Sequence, residues 1–215
     1  MSKYEIPKEY YFRIHHVRPR FKDEYENVLL FLASEIAYLP EMEKDEFDTK
    51  FDEIIREYGK NPNSSDKTIA NWRTEMSALF GLLEYNNGKV RASKRTKELA
   101  ENQDVIEFFK KFLFTFQYPG AHIKQQEVLK QIEKGVNFKP AQYILSVLNY
   151  SENKSGKREY ITKSEACHCI FNDLRCTRDH ESPSKVWNRI LKNRKDGLEY
   201  DERGDVIRYA GDILS

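Results

Sequence analysis

The chain has 215 residues, with 36 Lys and Arg against 35 Asp and Glu and a formal net charge of +1, which allows one large domain or two small ones. Three cysteines are too few for a secreted disulfide scaffold, and no apolar run approaches the roughly 20 residues of a membrane span. The polar start Met1–Glu5 is not a signal peptide. These features exclude the secreted and membrane classes and predict a soluble, cytoplasmic protein.

The near-neutral total hides charges that are segregated along the chain. Residues 41–57 contain eight acidic residues against three basic ones, whereas residues 89–97 and 182–195 each contain five basic residues and no acidic residue. Residues 12–22 are also basic and free of acids. Such blocks are either ordinary solvated surface or a positive face that contacts phosphates.

The first half of the chain begins with three predicted helices. Apolar residues recur at helical spacing over residues 24–39, before Pro40, and again over residues 46–58, before Gly59. A third helix is predicted over residues 66–80, with Ser65 or Asp66 as its cap.

A β-hairpin is predicted directly after the third helix. Two short apolar-rich runs, residues 82–85 and 89–92, flank Asn86–Gly88, and Asn and Gly tolerate the positive φ that a tight turn needs. Ser93 then caps a short helix that ends near Glu101.

Three helices followed by a hairpin is the element order of a winged helix, in which the helix before the wing is usually presented to the DNA major groove. The predicted outer face of that helix carries Lys67, Thr68, Asn71, Arg73, Thr74 and Ser77. Of these, the first five are predicted to contact DNA, together with Lys89 and Arg91 of the wing and Lys94 and Arg95 of the following helix. A winged helix used for protein contacts is the alternative.

Residues 104–118 are unusually aromatic. Val105, Phe108, Phe112 and Phe116 keep helical spacing, which favours a buried helix that joins two subdomains. Stacking on single-stranded bases is the alternative use of such side chains.

A second unit is predicted from residue 138 onward, with helices over residues 141–149 and 162–172, a basic helix opened by Ser182 or Ser184, and a last helix over residues 203–213. Thr162 and Glu165 form a capping-box pattern at the start of the second of these helices. The predicted DNA contacts of this unit are Lys185, Arg189, Lys192, Arg194, Arg203 and Arg208. Since no strand or wing follows, the second unit is expected to be truncated.

The sequence contains no good match to the motifs of catalysis or metal binding. Asp48–Lys50 is the best local match to a metal-dependent nuclease, but it lies in a helical pattern without a partner acid on a strand. Cys167 and Cys169 are two residues apart on a predicted helix and point to different sides, unlike zinc ligands, so buried cysteines beside a surface His168 are expected. The sequence therefore predicts no catalytic centre and no metal site in this chain.

Several segments together resemble the N-terminal DNA-recognition region of the AlwI-type type IIS restriction endonucleases, which include related nicking enzymes. These segments are Trp72–Ala100, Phe108–Leu113, Phe116–Pro119, Phe138–Pro140, Ile144–Leu148, Ile161–Glu165 and Gly204–Ala210. Relatives tend to carry Trp-Gln-Tyr-Pro where this chain has Phe116–Pro119.

The resemblance implies a monomeric, two-subdomain module that binds a short asymmetric site on double-stranded DNA. Family members carry a separate nuclease domain that uses magnesium, which this chain is expected to lack, so no cofactor is expected here. We predict a mainly α fold with small β-hairpins, divided into an arm (1–23), a first winged-helix subdomain (24–102), a connecting helix and loop (103–137) and a second helix-turn-helix-like subdomain (138–215).

Two other functions are compatible with the same residues. A winged-helix transcriptional regulator would also bind DNA, but as a dimer on a palindromic site. A protein-interaction adaptor would use the aromatic helix and the basic blocks for a protein partner.

Overall fold

The computed structural model describes residues 2–16, 25–59, 65–204 and 206–208. The chain divides into two compact units. Residues 18–112 form the first, here called the sheet unit, and residues 1–17 with 113–215 form the second, here called the helical unit. The described residues are mainly helical with one small antiparallel sheet, which confirms the predicted class of fold.

The sheet unit contains the predicted helices and hairpin and one strand that was not predicted. In chain order its elements are α1 (Tyr25–Ile36), β1 (Met42–Glu43), α2 (Lys44–Gly59), α3 (Asp66–Phe80), β2 (Leu83–Asn86), β3 (Lys89–Ala92), α4 (Lys94–Asn102) and α5 (Val105–Thr115). The strands lie in the order β1-β3-β2, and Val90 on β3 is paired with Met42 on one side and Tyr85 on the other.

The ends of α3 follow the chemistry that the sequence indicates. The Ser65 hydroxyl accepts a hydrogen bond from the Thr68 amide at 3.3 Å, which satisfies one of the unpaired amides of the first turn. Gly81 ends the helix with φ +66°, a conformation that glycine adopts without a Cβ penalty. Ser93 caps α4 and also donates to the Gly81 carbonyl at 2.8 Å, so the hairpin is tied to both neighbouring helices.

The aromatic helix α5 is buried on one side only. Phe108 and Phe112 are buried, and the Phe80 ring lies 5.1 Å from that of Phe112. Ile106 and Phe114 are exposed, so the predicted burial holds for the face toward α3. The division between the two units falls within α5, after Phe112.

The helical unit differs from the prediction in its helix boundaries. Its elements are α6 (Gln125–Glu133), α7 (Pro140–Ser155), α8 (Lys163–Ala166), a π-helical turn (Cys167–Phe171), α9 (Leu174–Thr177) and α10 (Pro183–Lys195). Helix α6 was not predicted, and α7 continues six residues beyond the predicted end at residue 149. Residues 204 and 206–208 are helical, whereas residues 205 and 209–213 of the predicted last helix lie outside the described residues.

The N-terminal segment, residues 2–16, packs onto the helical unit. Ile14 is fully buried among Phe138, Phe171 and Trp187 in its core. The Leu174 amide donates to the Tyr10 carbonyl at 2.8 Å, and further backbone bonds join Tyr4 and Phe12 to this unit. The predicted boundary after residue 23 therefore differs from the observed division, because apolar burial and backbone hydrogen bonds attach the segment; residues 17–23 of the predicted arm lie outside the described residues.

Candidate nucleic-acid interface

Helix α3 presents a narrow polar face to solvent. Lys67, Asn71 and Thr74 are exposed, and Thr68 is half-buried. Their spacing of four and three residues places the exposed side chains on one side of the helix. Four of the five predicted contacts on α3 are therefore on or near its outer face, and Lys67 is the basic residue among them.

Arg73 does not lie on that outer face, so its predicted position was wrong. Its side chain is only 17% exposed and its guanidinium is held by α2, with Nη1 2.7 Å from Asp52 Oδ1 and 3.1 Å from the Asp48 carbonyl oxygen. The reason is helical periodicity, since Arg73 follows the buried Ile69 by four residues. Ser77 is also buried and donates to the Arg73 carbonyl at 2.7 Å.

On the hairpin, Lys89 is exposed and Arg91 is paired. Arg91 lies opposite Glu84 in the register of β2 and β3, and its Nε donates to Glu84 Oε2 at 3.1 Å. Glu41 approaches Arg91 to 3.8 Å. The basic block that contains no acid along the sequence is thus partly neutralised by carboxylates from neighbouring segments.

At the start of α4, two adjacent basic residues have different environments. The Lys94 side chain is 87% exposed, and its Nζ lies 3.7 Å from Glu98. Arg95 is half-buried and donates from Nη1 to the Phe80 carbonyl at 3.3 Å, near the end of α3. The backbone amide of Lys94, with help from Arg91, lowers the pKa of Glu84. Because its side chain is exposed, Lys94 can contact a ligand. Arg95 instead stabilises the junction of α3 and α4.

In the helical unit, Arg189 of α10 belongs to a buried ionic cluster, so its placement as a surface phosphate contact is corrected. Its side chain is 12% exposed, pairs with Glu181, and places Nη1 2.7 Å from Asp173 Oδ2. Asp173 is fully buried and also accepts from Arg175 Nε at 2.9 Å. Withdrawing Arg189 toward a phosphate would leave the buried Asp173 carboxylate and the half-buried Glu181 carboxylate with less positive charge.

Arg194 likewise points back into its own unit. It forms a two-pronged ion pair with Glu165, at 2.6 Å and 2.9 Å, and its guanidinium lies 5.3 Å from the centre of the Trp187 ring. Burial alone would raise the pKa of Glu165, but hydrogen bonds from Arg194 and the Thr162 amide outweigh it and lower that pKa. The predicted capping box of Thr162 and Glu165 is present.

The solvent face of α10 carries a single row of exposed residues. They are Lys185, Asn188, Leu191, Lys192 and Lys195. Helix α10 contains no acidic residue, although Lys192 pairs with Asp196 just beyond its end. We call this row with Lys154 the α10 ridge, because Lys154 of α7 donates to Asn188 Oδ1 at 2.9 Å.

Four members of the α10 ridge are not among the predicted contacts: Lys154, Asn188, Leu191 and Lys195. The three-residue spacing from Lys185 was a signal for Asn188. Lys154 gave no signal, because it lies beyond the end of the helix predicted over residues 141–149.

The last two predicted contacts follow α10. Arg203 pairs with Asp201, with Nε 3.0 Å from Oδ1, and remains at the surface. Arg208 is exposed on the short helical stretch at residues 206–208.

Other chemistry is sparse in the described part of the chain. There, no group of three or more His, Cys, Asp or Glu residues could hold a metal ion. The three thiols are free and buried, and burial raises the pKa of Cys169 to about 11. His168 is buried rather than at the surface, and its ring nitrogen Nε2 lies 2.9 Å from the Asp201 carbonyl oxygen. Each described helix is too short or too polar to cross a bilayer.

Comparisons with known proteins give one family and one similar structure. The family model described as "Restriction endonuclease BpuJI - N terminal" matches residues 4–215. A solved structure described as "Crystal structure of pyrene- and phenanthrene-modified DNA in complex with the BpuJ1 endonuclease binding domain" is similar with a TM-score of 0.85 and 24% identity, covering 95% of this chain and 74% of that chain. At that identity the likeness shows a shared fold. No curated protein matches the chain.

Proposed function

This chain belongs to the family of restriction endonuclease BpuJI N-terminal domains, a family of DNA-binding domains, and we propose that it recognises a short asymmetric site on double-stranded DNA. The α10 ridge carries this proposal. It combines exposed lysines, which suit phosphates, with an amide that suits base edges, on a helix without acidic residues. A helix of this kind fits the major groove.

The sheet unit supports a second contact surface of winged-helix type. The element order α1-β1-α2-α3-β2-β3, with strands in the order β1-β3-β2, is that expected for a winged helix, with the β2–β3 hairpin as the wing. Lys67, Asn71, Lys89 and Lys94 are its exposed candidates for DNA contact. We propose that they mainly neutralise or hydrogen-bond phosphates.

The finer assignment to type IIS enzymes of the AlwI type is also a proposal, supported by the shared segments such as Phe116–Pro119. In this proposal the chain binds as a monomer, and cleavage belongs to a magnesium-dependent nuclease domain of the parent enzyme. A monomeric reader suits an asymmetric site, because a two-fold symmetric dimer would favour a palindrome.

The proposal is tested by selecting bound sites from a random duplex library at two salt concentrations, with the mass of the protein–DNA complex measured alongside. We expect one asymmetric motif that survives the higher salt, bound by a single copy of the chain. A palindromic motif bound by two copies would instead support the transcriptional regulator. Binding that is blind to sequence and disappears with salt, or no binding, would support the adaptor.

A further inference from the structure

We propose that Asn188, oriented by Lys154, is a specificity-determining residue that reads a guanine in the major groove. This inference rests on the proposed function, because it names the base-reading group of the same DNA-binding surface. It goes beyond the basic residues predicted from sequence, because it names an amide that was not among the predicted contacts.

Asn188 has a central position on the α10 ridge. Lys185 precedes it by three residues and Lys192 follows it by four, so lysines flank the amide on the same face. Lys185 and Lys192 lie about 10.5 Å apart along the helix axis, at about 1.5 Å per residue, which is close to the roughly 12 Å width of the major groove. The flanking lysines are thus spaced to meet phosphates while the amide faces base edges.

Lys154 fixes which hydrogen-bonding groups the amide presents. Its Nζ donates to Asn188 Oδ1 at 2.9 Å, and the same ammonium lies 5.9 Å from the centre of the Tyr150 ring, one turn earlier on α7. An ammonium bound to one lone pair of Oδ1 makes this oxygen a weaker acceptor for a second donor, and Asn188 then presents chiefly its Nδ2 protons. The Lys154 ammonium adds positive charge and further N–H donors to the pair, so the pair is rich in donors.

A pair of donors selects guanine among the base edges of the major groove. Guanine presents two acceptors there, N7 and O6, whereas adenine presents N7 beside a donor amino group. An asparagine with a free Oδ1 suits adenine, because it can both accept and donate. The bond from the Lys154 ammonium weakens Oδ1 as an acceptor and adds positive charge beside it, and it thereby shifts the preference of Asn188 from adenine to guanine.

The test compares the parent chain with Asn188→Ala, Lys154→Met and the control Asn137→Ala in site selection from a random duplex library. Asn137 is an exposed amide of the same unit that lies outside α7 and α10. For N188A we expect loss of guanine preference at one base pair, by about 5- to 150-fold in relative affinity. K154M is expected to shift that position toward adenine, and N137A to keep the parent motif.

A second measurement uses the parent motif with 7-deazaguanine, which lacks the N7 acceptor, at the selected position. This replacement should weaken binding of the parent chain and leave binding of N188A unchanged. Both substituted side chains are exposed, so the thermal midpoints of the variants should match that of the parent chain.

The outcomes separate the two levels of the proposal. If the parent chain selects no motif, the proposed function fails and the reading by Asn188 fails with it. If the parent motif persists in N188A, the proposed function stands and the assignment of Asn188 is overturned. If N188A loses the guanine but K154M keeps it, the donor pair with Lys154 is overturned.

Discussion

Lys185 and Arg189 lie about one turn apart on α10 and carry the same charge, but their environments are opposite. Lys185 is exposed on the α10 ridge, while Arg189 is held by Asp173 and Glu181 inside the helical unit. The same substitution at the two positions therefore separates a binding role from a structural one.

We expect Lys185→Met to change the unfolding free energy by less than about 0.5 kcal/mol, because it removes an exposed charge. It should also lower the salt slope of DNA binding by about 0.9 if Lys185 neutralises one phosphate. Arg189→Met should lower the unfolding free energy by about 3 kcal/mol, since it leaves buried carboxylates with less compensation. Denaturant unfolding and salt titrations of DNA binding measure both effects. A stable R189M with a reduced salt slope would reverse the two assignments.

At this scale, the sequence predicts local chemistry better than long-range pairing. The caps at Ser65 and Thr162 were correct, because a cap and its partner amide lie within three residues. The burial of Arg73 and Arg189 depends on acids that are distant in sequence or on another helix. Only the folded chain brings those carboxylates to the guanidinium groups.

Among the elements, the N-terminal segment shows how much a stretch without regular secondary structure contributes. Ile14 lies in the core of the helical unit, although its segment forms no helix or strand. Lys8, in the same segment, is exposed and serves as a control.

Ile14→Ala should lower the unfolding free energy by about 2–5 kcal/mol, because it removes buried methylene groups and leaves a cavity. Lys8→Ala should change it by less than about 0.5 kcal/mol. Denaturant unfolding of the full chain measures both values. Equal, small effects would show that the segment does not contribute to the core.

Element prediction succeeded where one side of an element faces solvent. The β2–β3 hairpin was found from its turn, and the observed φ of +50° at Asn87 and +83° at Gly88 explains the choice of residues there. Residues 164–172 were predicted as part of one helix, but they form most of α8 and a π-helical turn. All of these residues are buried, including the polar Glu165, His168 and Asn172, so the pattern of polar and apolar residues does not mark where the helix changes.

For the molecule as a whole, buried histidine makes stability depend on pH. His122 is packed against His16 and Tyr118, with His122 Nε2 3.2 Å from His16 Nδ1. Burial lowers the pKa of His122 to about 4 from the ordinary value of 6.5. The folded chain therefore keeps this imidazole neutral at pH values where the unfolded chain binds a proton.

We expect the unfolding free energy to fall as the pH decreases from about 6.5 to about 4, by at most about 3 kcal/mol from His122. Below the ordinary pKa of a glutamate, protonation of Glu165 should remove further stability, because its pKa is lowered in the fold. Thermal unfolding across this range measures the effect. His122→Phe should flatten the curve between pH 6.5 and 4, and an unchanged slope in this variant would contradict the role of His122.

The net charge of the chain did not predict which of its charged side chains are exposed. Several arginines are paired with carboxylates within the fold, as Arg73 and Arg194 are. Exposed lysines such as Lys89 and Lys185 then carry the positive charge toward solvent. The class of fold and the presence of basic surfaces could be predicted from sequence, whereas the identity of the exposed cations required the packing of helices.

Because of its ion pairs, helix α10 loses its conformational entropy when the protein folds and not when a ligand binds. Asp173, Glu181 and Glu165 fix the orientation of this helix as the protein folds, before any ligand arrives. Association then has to immobilise only side chains such as Lys185 and Asn188, at roughly 0.5–1.5 kcal/mol for each. A ligand that binds this helix therefore contacts a backbone whose geometry is already fixed, and only exposed side chains still have to be ordered.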